Sequence, residues 1–362
     1  MSNLAVGIVG AGGITNYHIP AYQEAGAKVV AISDLVIKMA EGQAEAYSIP
    51  NTFASMEDML KGCPEIQAVS VCVPNKFHAK VAIACLNAGK HVFCEKPPAL
   101  NAQEAVDMAK AAADNGKTLM FDFNNRARPE AQALIKYIEN GDVGTINSAQ
   151  ALWIRRTGIP GFGGWFTQKP LSGGGPVIDL LHMIDLALYF MQFPKPEWVL
   201  ASTFEDFSGN PDFKGPWGIP DAEDPIVDVE MAAHAFVRFE TGQVLYTRNS
   251  WAELNKREEV SVTFQGTKAG GMVRRLFVRD GIDETAIDDC ELYVQENGKS
   301  VNRQIITEPD EKMGREAAVI NFVQTIEGTA KPLSHPEEAV ILMQVIDAIY
   351  KSAESGKPIE IS

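Results

Sequence analysis

Along the first third of the chain, short apolar runs alternate with longer stretches of mixed character. The runs Leu4–Val9, Lys28–Ser33, Ala68–Val73, Lys90–Phe93 and Thr118–Phe121 predict buried parallel strands, since a strand covered on both faces is apolar almost throughout. Between them, Ile14–Ala25, Ile37–Tyr47, Met56–Lys61, Phe77–Ala88 and Ala102–Asn115 predict helices. Gly26, Gly89 and Gly116 close three of these where the residue past the helix end must turn left-handed. Strands and helices alternating at this spacing imply βαβ units, and right-handed crossovers then build a doubly wound parallel sheet.

Beyond about residue 122 the pattern changes. A helix over Arg128–Asn140 ends in Gly141-Asp142. Extended segments rich in β-branched and aromatic residues follow: Thr145–Ile154, Trp198–Phe204, Val227–Phe239, Gln243–Trp251, Glu259–Phe264 and Cys290–Val294. Glu240-Thr241-Gly242-Gln243 reads as a hairpin turn between two of them. One long helix, Pro176–Met191, interrupts the strands, and Ser208–Pro225, rich in Gly, Pro and Asp, reads as a loop. Helices near Arg315–Glu327 and Pro336–Ala353 end the chain. The expected organisation is a doubly wound domain over residues 1–122 and an α+β domain over 123–362, with a large, mostly antiparallel sheet. One face of that sheet is expected to lie under helices or against another subunit, and the helix over 336–353 to pack back on the first domain.

Composition narrows the partners. The 362 residues carry a net charge of −15 with no lysine- or arginine-rich run, which argues against nucleic acid and anionic membranes. No segment nears the ~18 apolar residues of a membrane span. Residues Met1 to Gly10 run straight into a strand without a basic leader. Cys63, Cys72, Cys85, Cys94 and Cys290 show no CxxC pair or zinc-like spacing, so free buried thiols in a reducing, cytoplasmic setting are expected, with no metal.

Two motifs in the first domain carry chemistry. Gly10-x-Gly12-x-x-Thr15 follows the first strand and opens the first helix. The first glycine allows a tight turn, the second lets backbone approach a pyrophosphate, and the helix N-terminus favours its charge. Asp34 ends the second strand, where an acid can bond the ribose hydroxyls of a dinucleotide; a helix cap is its bland alternative. Leu35, Val36 and Ile37 follow it, so no cation awaits a 2′-phosphate and NAD is expected over NADP. Pro74 and Asn75 end the fourth strand and would line the nicotinamide side. His78, in the next helix, is either a contact there or a structural histidine. Phe93-Cys-Glu95-Lys96-Pro-Pro98 then sets a lysine at a strand's carboxyl end, where ligands bind in open α/β sheets.

A second glycine cluster, Ser172-Gly173-Gly174-Gly175-Pro176, opens the long helix carrying Asp179, His182 and Asp185. Residues three apart share a helical face, so Asp179 and His182 are expected to point into one cleft, His182 as proton acceptor. Asp185 reads as structural. Arg126, Arg155 and Arg156 stand where the second domain should begin. Strand alternation gives Trp153 and Arg155 one face and Arg156 the other, which suits Arg155 beside a pyranose or, equally, a surface strand.

Gly7 to Ile14, Pro74-Asn75…His78, Cys94-Glu95-Lys96-Pro97-Pro98 and Ser172-Gly-Gly-Gly…Asp179…His182…Asp185 together resemble the Gfo/Idh/MocA oxidoreductase family over nearly the whole chain. The resemblance implies a Rossmann domain and an NAD held through Gly10, Gly12, Gly13, Ile14, Asp34, Pro74, Asn75, His78, Glu95, Lys96 and Trp165. It also implies an open-faced sheet used in homodimers or homotetramers. Lys96, Asp179 and His182 would be the catalytic set, assembled across a domain cleft, and Trp165 would match a tryptophan preceding the family's glycine cluster. Two departures stand out: the family's aspartate and histidine are usually four residues apart rather than three, and Phe166 follows Trp165 where arginine is common.

The reading is therefore an NAD-dependent oxidation of a secondary hydroxyl on a sugar, glycoside or cyclitol, with Lys96, Arg126, Arg155, Asp179 and His182 at the substrate. Three alternatives remain: a glycosidase-type relative, a sugar–sugar oxidoreductase retaining its cofactor, and a non-enzymatic regulator.

Overall fold

The computed structural model describes residues 3–278 and 285–361, with side chains from 288 onward in the later stretch. Six strands form the first sheet: β1 (Ala5–Val9), β2 (Lys28–Ser33), β3 (Asn51–Phe53), β4 (Ala68–Val71), β5 (His91–Cys94) and β6 (Leu119–Phe121). All pair in parallel, in the order β3-β2-β1-β4-β5-β6. Strand order reverses between β1 and β4, the switch point at which such sheets bind ligands. Strand β3 escaped the sequence reading because its three residues lack an apolar run.

The second sheet has nine strands: β7 (Ile146–Ile154), β8 (Pro196–Phe204), β9 (Ala232–Phe239), β10 (Val244–Ser250), β11 (Glu259–Gly266), β12 (Ala269–Phe277), β13 (Thr285–Glu296), β14 (Lys299–Gln304) and β15 (Ile359–Glu360). Their order is β14-β13-β12-β11-β7-β10-β9-β8-β15, antiparallel except between β7 and β10. The sequence reading passed over β12, where Gly270, Gly271, Arg274 and Arg275 hide the alternation. Gly271 is required there, since a β-carbon would strike the Phe264 ring. The helix His182–Phe190 lies on this sheet, with Phe190 edge-on to Phe264 at 5.6 Å.

The chain divides into two compact units, residues 1–128 with 310–340 and residues 129–309 with 341–362. The first unit thus takes in two segments placed beyond residue 122 by sequence. Its core shows why. On the helix Arg315–Ile326, Ala318, Val319, Phe322 and Val323 are buried among Ile19, Tyr22 and Phe93, and the Phe322 ring lies 5.4 Å from that of Phe93. That helix, rather than most of the helix Pro336–Ser355, completes the first core. Farther along Pro336–Ser355, Ser352 Oγ accepts from Ala201 N at 2.9 Å within the second unit.

Candidate functional site

In the first unit the glycine turn is built by what its residues lack. Gly10 has φ +94°, and a β-carbon on it would strike the Cys72 carbonyl. Gly12 and Gly13 face open space, so backbone can approach a diphosphate there. Thr15 begins the helix Thr15–Glu24 and is wholly buried. Its hydroxyl donates to the Gly12 carbonyl at 2.6 Å, which lets threonine stand in a position expected for a smaller residue.

Asp34 ties this turn to the end of β2. Its Oδ2 accepts from Ala11 N at 2.9 Å and its Oδ1 from Val36 N at 2.8 Å. It does not cap the next helix, which begins at Ile37 behind Val36 with no side-chain cap. Leu35 and Val36 beside it are 86% and 59% exposed, an apolar surface next to an acid. That pairing fits the face of an adenine and the hydroxyls of its ribose.

Pro74 precedes a short turn of 3-10 helix, Asn75–Phe77. His78 is buried, with Nδ1 2.6 Å from the Pro97 carbonyl and Nε2 2.7 Å from the Val73 carbonyl. Burial, the larger effect, holds its pKa below the ordinary imidazole value against those two bonds. Both ring nitrogens being used by backbone, His78 fixes the loop around Pro74 and Pro97 rather than offering a free edge to a ligand.

Lys96 is half-buried at the end of β5, and the Lys96–Pro97 bond is cis. Behind it lies a polar cluster the sequence reading missed. Glu95 Oε1 lies 2.7 Å from His18 Nε2, His18 Nδ1 lies 2.8 Å from Ser70 Oγ, and Asp122 Oδ2 lies 3.6 Å from His18 Nε2. Glu95 Oε2 accepts from Lys96 N at 3.2 Å. Burial alone would raise the Glu95 carboxyl, but the His18 bond and charge outweigh it and hold it low. Burial and the Glu95 charge push Asp122 up to about 7. Burial opposes charge on His18, yet Cys72, Asp122 and Glu95 keep its pKa well above the ordinary range. The members come from four separate elements, so no local spacing marks the cluster.

Arg126 overturns an expectation. It is completely buried in the first unit, donating to the Leu333 carbonyl at 2.9 Å and to the Glu338 carboxylate, with its guanidinium 4.7 Å from the Phe123 ring centre. A side chain so enclosed holds the 310–340 segment in place and is closed to a substrate.

In the second unit the long helix proves to be broken. Helical turns span Pro176–Asp179 and His182–Phe190, with Leu180 at φ −97° and ψ 25° between them. Asp179 ends one piece and His182 starts the other, so a simple shared helical face no longer relates them. Both instead meet the same strand. Asp179 Oδ2 accepts from Trp251 Nε1 at 2.9 Å and stands 3.8 Å from Arg155 Nη1. The His182 ring lies 5.8 Å from that of Trp153. Trp153 Nε1 and Arg155 Nε both donate to Glu258 Oε1, at 2.9 and 3.0 Å. Arg155 thus faces the Asp179 side as strand alternation implied, while Arg156 is exposed. Asp185 is buried.

The glycine cluster is closed off by residues from elsewhere in the same unit. Gly174 has φ +156°, and a β-carbon there would strike the Tyr350 hydroxyl; one on Gly175 would strike the Glu230 carbonyl. Glu230 accepts from Gly175 N at 3.0 Å, Val177 N at 3.1 Å and the Tyr350 hydroxyl at 2.9 Å. A buried carboxylate thereby caps the first helical piece, its pKa raised by burial against those bonds. Trp165 is half-buried and stacks on Phe166 at 3.8 Å.

Comparison with known proteins bears on all of this. The family model for the GFO_IDH_MocA oxidoreductase family, NAD-binding Rossmann fold, matches residues 4–123, and its C-terminal alpha/beta domain matches residues 135–361. The chain is 32% identical to D-glucoside 3-dehydrogenase of Escherichia coli (strain K12) over 99% of its length and 98% of that protein's. It is 30% identical to levoglucosan dehydrogenase of Pseudarthrobacter phenanthrenivorans over 70% of each chain. A levoglucosan dehydrogenase solved with NADH and L-sorbose shares the fold at TM-score 0.82, with 23% identity and full coverage of both chains.

Proposed function

Because this chain belongs to the Gfo/Idh/MocA oxidoreductase family and is an NAD-binding dehydrogenase of CH–OH groups, we propose that it oxidises a secondary hydroxyl of a glucoside. The observation that carries the substrate class is similarity to D-glucoside 3-dehydrogenase along almost the entire chain. The residues suit it. Asp179, braced by Trp251 and Arg155, presents a carboxylate to a sugar hydroxyl. His182 Nδ1 is buried, so proton acceptance is assigned to Nε2. Lys96 orients the reacting hydroxyl from the end of β5. NAD, when bound, supplies the hydride acceptor, held by the Gly10–Thr15 turn and Asp34.

A homo-oligomer also belongs to this reading. On one face of β8 and β9, Leu200, Phe204 and Phe236 are 44%, 43% and 39% exposed, apolar area that a second copy would cover. The five free buried thiols support a reducing, cytoplasmic location.

Reduced nicotinamide absorbance, followed with NAD and a panel of glucosides, aldoses and inositols, tests the reading. Glucosides should be the best substrates, with Lys96→Ala and His182→Ala each losing turnover and His182→Ala retaining NAD binding. Normal turnover in both variants would overturn the assigned roles, and activity confined to inositols would overturn the substrate class.

A further inference from the structure

The segment between Phe204 and Met231 contains a built platform that the reaction does not use. Backbone bonds fasten it to the 159–162 strand-like stretch at both ends: Ile159 N donates to Phe213 O at 3.0 Å, Gly215 N to Ile159 O at 2.9 Å, and Ala222 N to Phe162 O at 2.9 Å. An ion pair between Lys214 and Asp221 at 2.7 Å crosses its base, and Asp221 also accepts from Phe162 N at 2.8 Å. Within it, Phe207 and Phe213 stack with centres 4.1 Å apart. Trp217 lies between the Gly215 and Ala222 anchors of this loop.

Trp217 is 40% exposed, and the Arg155 guanidinium lies over its ring, 4.8 Å from the centre. Gly215 makes this possible, because a β-carbon there would strike the Trp217 indole. Beside the cation, part of the ring is left open to solvent. The same guanidinium stands 3.8 Å from Asp179 Oδ2, so Trp217 and Asp179 share one brace.

We infer that Trp217 forms an aglycone subsite, stacking a second ring, aromatic or sugar, attached to the oxidised glucoside. Apolar ring faces pack well on indole, and the neighbouring guanidinium stiffens the platform by a cation–π contact. The inference rests on the glucoside reading above and extends it from a single ring to a two-ring substrate.

Specificity constants for 4-nitrophenyl glucoside and methyl glucoside, measured with NAD for the full-length protein, decide the matter. The wild type should favour the aryl glucoside, and Trp217→Ala should cut the aryl-to-methyl ratio about tenfold, mainly through KM. Gly215→Ala, which keeps the indole but displaces it, should cut the ratio in the same direction. Trp217→Phe should restore most of it, an outcome that a purely structural role would not produce. A ratio unchanged in Trp217→Ala and Gly215→Ala overturns the inference while leaving the glucoside reading intact. A wild type that oxidises neither glucoside but does oxidise free sugars overturns both.

Discussion

The Trp251 indole nitrogen donates to the same Asp179 oxygen, Oδ2, that faces the Arg155 guanidinium. Trp251 is fully buried in a cluster with Leu180, Val229 and Met231, so a packed side chain aims this carboxylate before any substrate arrives. The helix breaks immediately after Asp179, which frees it from helical geometry and hands its orientation to the sheet.

Trp251→Phe should therefore keep the fold and lose the aim. A hydrogen bond to a charged group contributes about 1.5–3 kcal/mol, so kcat/KM should fall roughly 10–100-fold. Steady-state kinetics beside a melting curve measures this, and a variant within twofold of wild type would show that the bond is idle.

Asp122 gives the first unit an inverted pH response. Its folded pKa of about 7 stands above the ordinary carboxyl value, so the folded state holds a proton that the unfolded state releases. This contribution to stability is complete below about pH 4 and declines as pH rises toward 7. His18, raised as well, contributes stability that is lost as pH rises through its folded pKa, whereas Glu95, lowered, contributes stability lost only on acidification. Each pKa unit corresponds to about 1.4 kcal/mol. Asp122→Asn should flatten the decline between pH 5 and 7 in denaturant titrations; Cys72, Cys94, Tyr22 and Lys96 are the other titratable groups about the cluster. An identical slope in wild type and variant would rule Asp122 out as its source.

Asp34 joins cofactor choice to loop geometry. Replacing it with serine removes the negative charge facing a 2′-phosphate but also weakens the bonds to Ala11 and Val36. The ratio of kcat/KM for NAD over NADP should drop by about two orders of magnitude, with part of the drop coming from poorer NAD use. Parallel kinetics with both cofactors separate the parts; a ratio that stays put would mean Asp34 serves the loop alone.

Gly174→Ala should destabilise the second unit. The added β-carbon meets the Tyr350 hydroxyl at a backbone angle that suits glycine, and overpacking of this kind costs about 1–3 kcal/mol. The melting temperature should fall by about 2–10 °C, and calorimetry would reveal an unchanged value if Tyr350 simply moves aside.

What could be read along the chain was whatever repeats locally. Apolar runs marked β1, β2, β4, β5 and β6, and the Gly10–Thr15 turn with Asp34 marked the nucleotide end, because each depends on neighbours within one βαβ unit. Distant partners left no such trace. Arg126 looks like any arginine near a domain boundary until Leu333 and Glu338 enclose it. The glycine cluster gives no sign in sequence of the Glu230 and Tyr350 side chains that pack against it. The break after Asp179 is equally silent, since Leu180 and Leu181 are ordinary helix formers overridden by the packing of Leu180 beside Trp251.

The helix Arg315–Ile326 has a consequence for how the protein is made. Its Phe322 rests on Phe93, and its Val319 belongs to the same buried core as Ile19 and Tyr22, so the first unit lacks a wall until that late helix is synthesised. On the ribosome, where domains ordinarily fold in the order they emerge, this N-terminal core stays open to water while strands β7 to β14 are being translated. Any arrest of translation before residue 315 leaves its apolar flank bare, a substrate for chaperones rather than a finished domain.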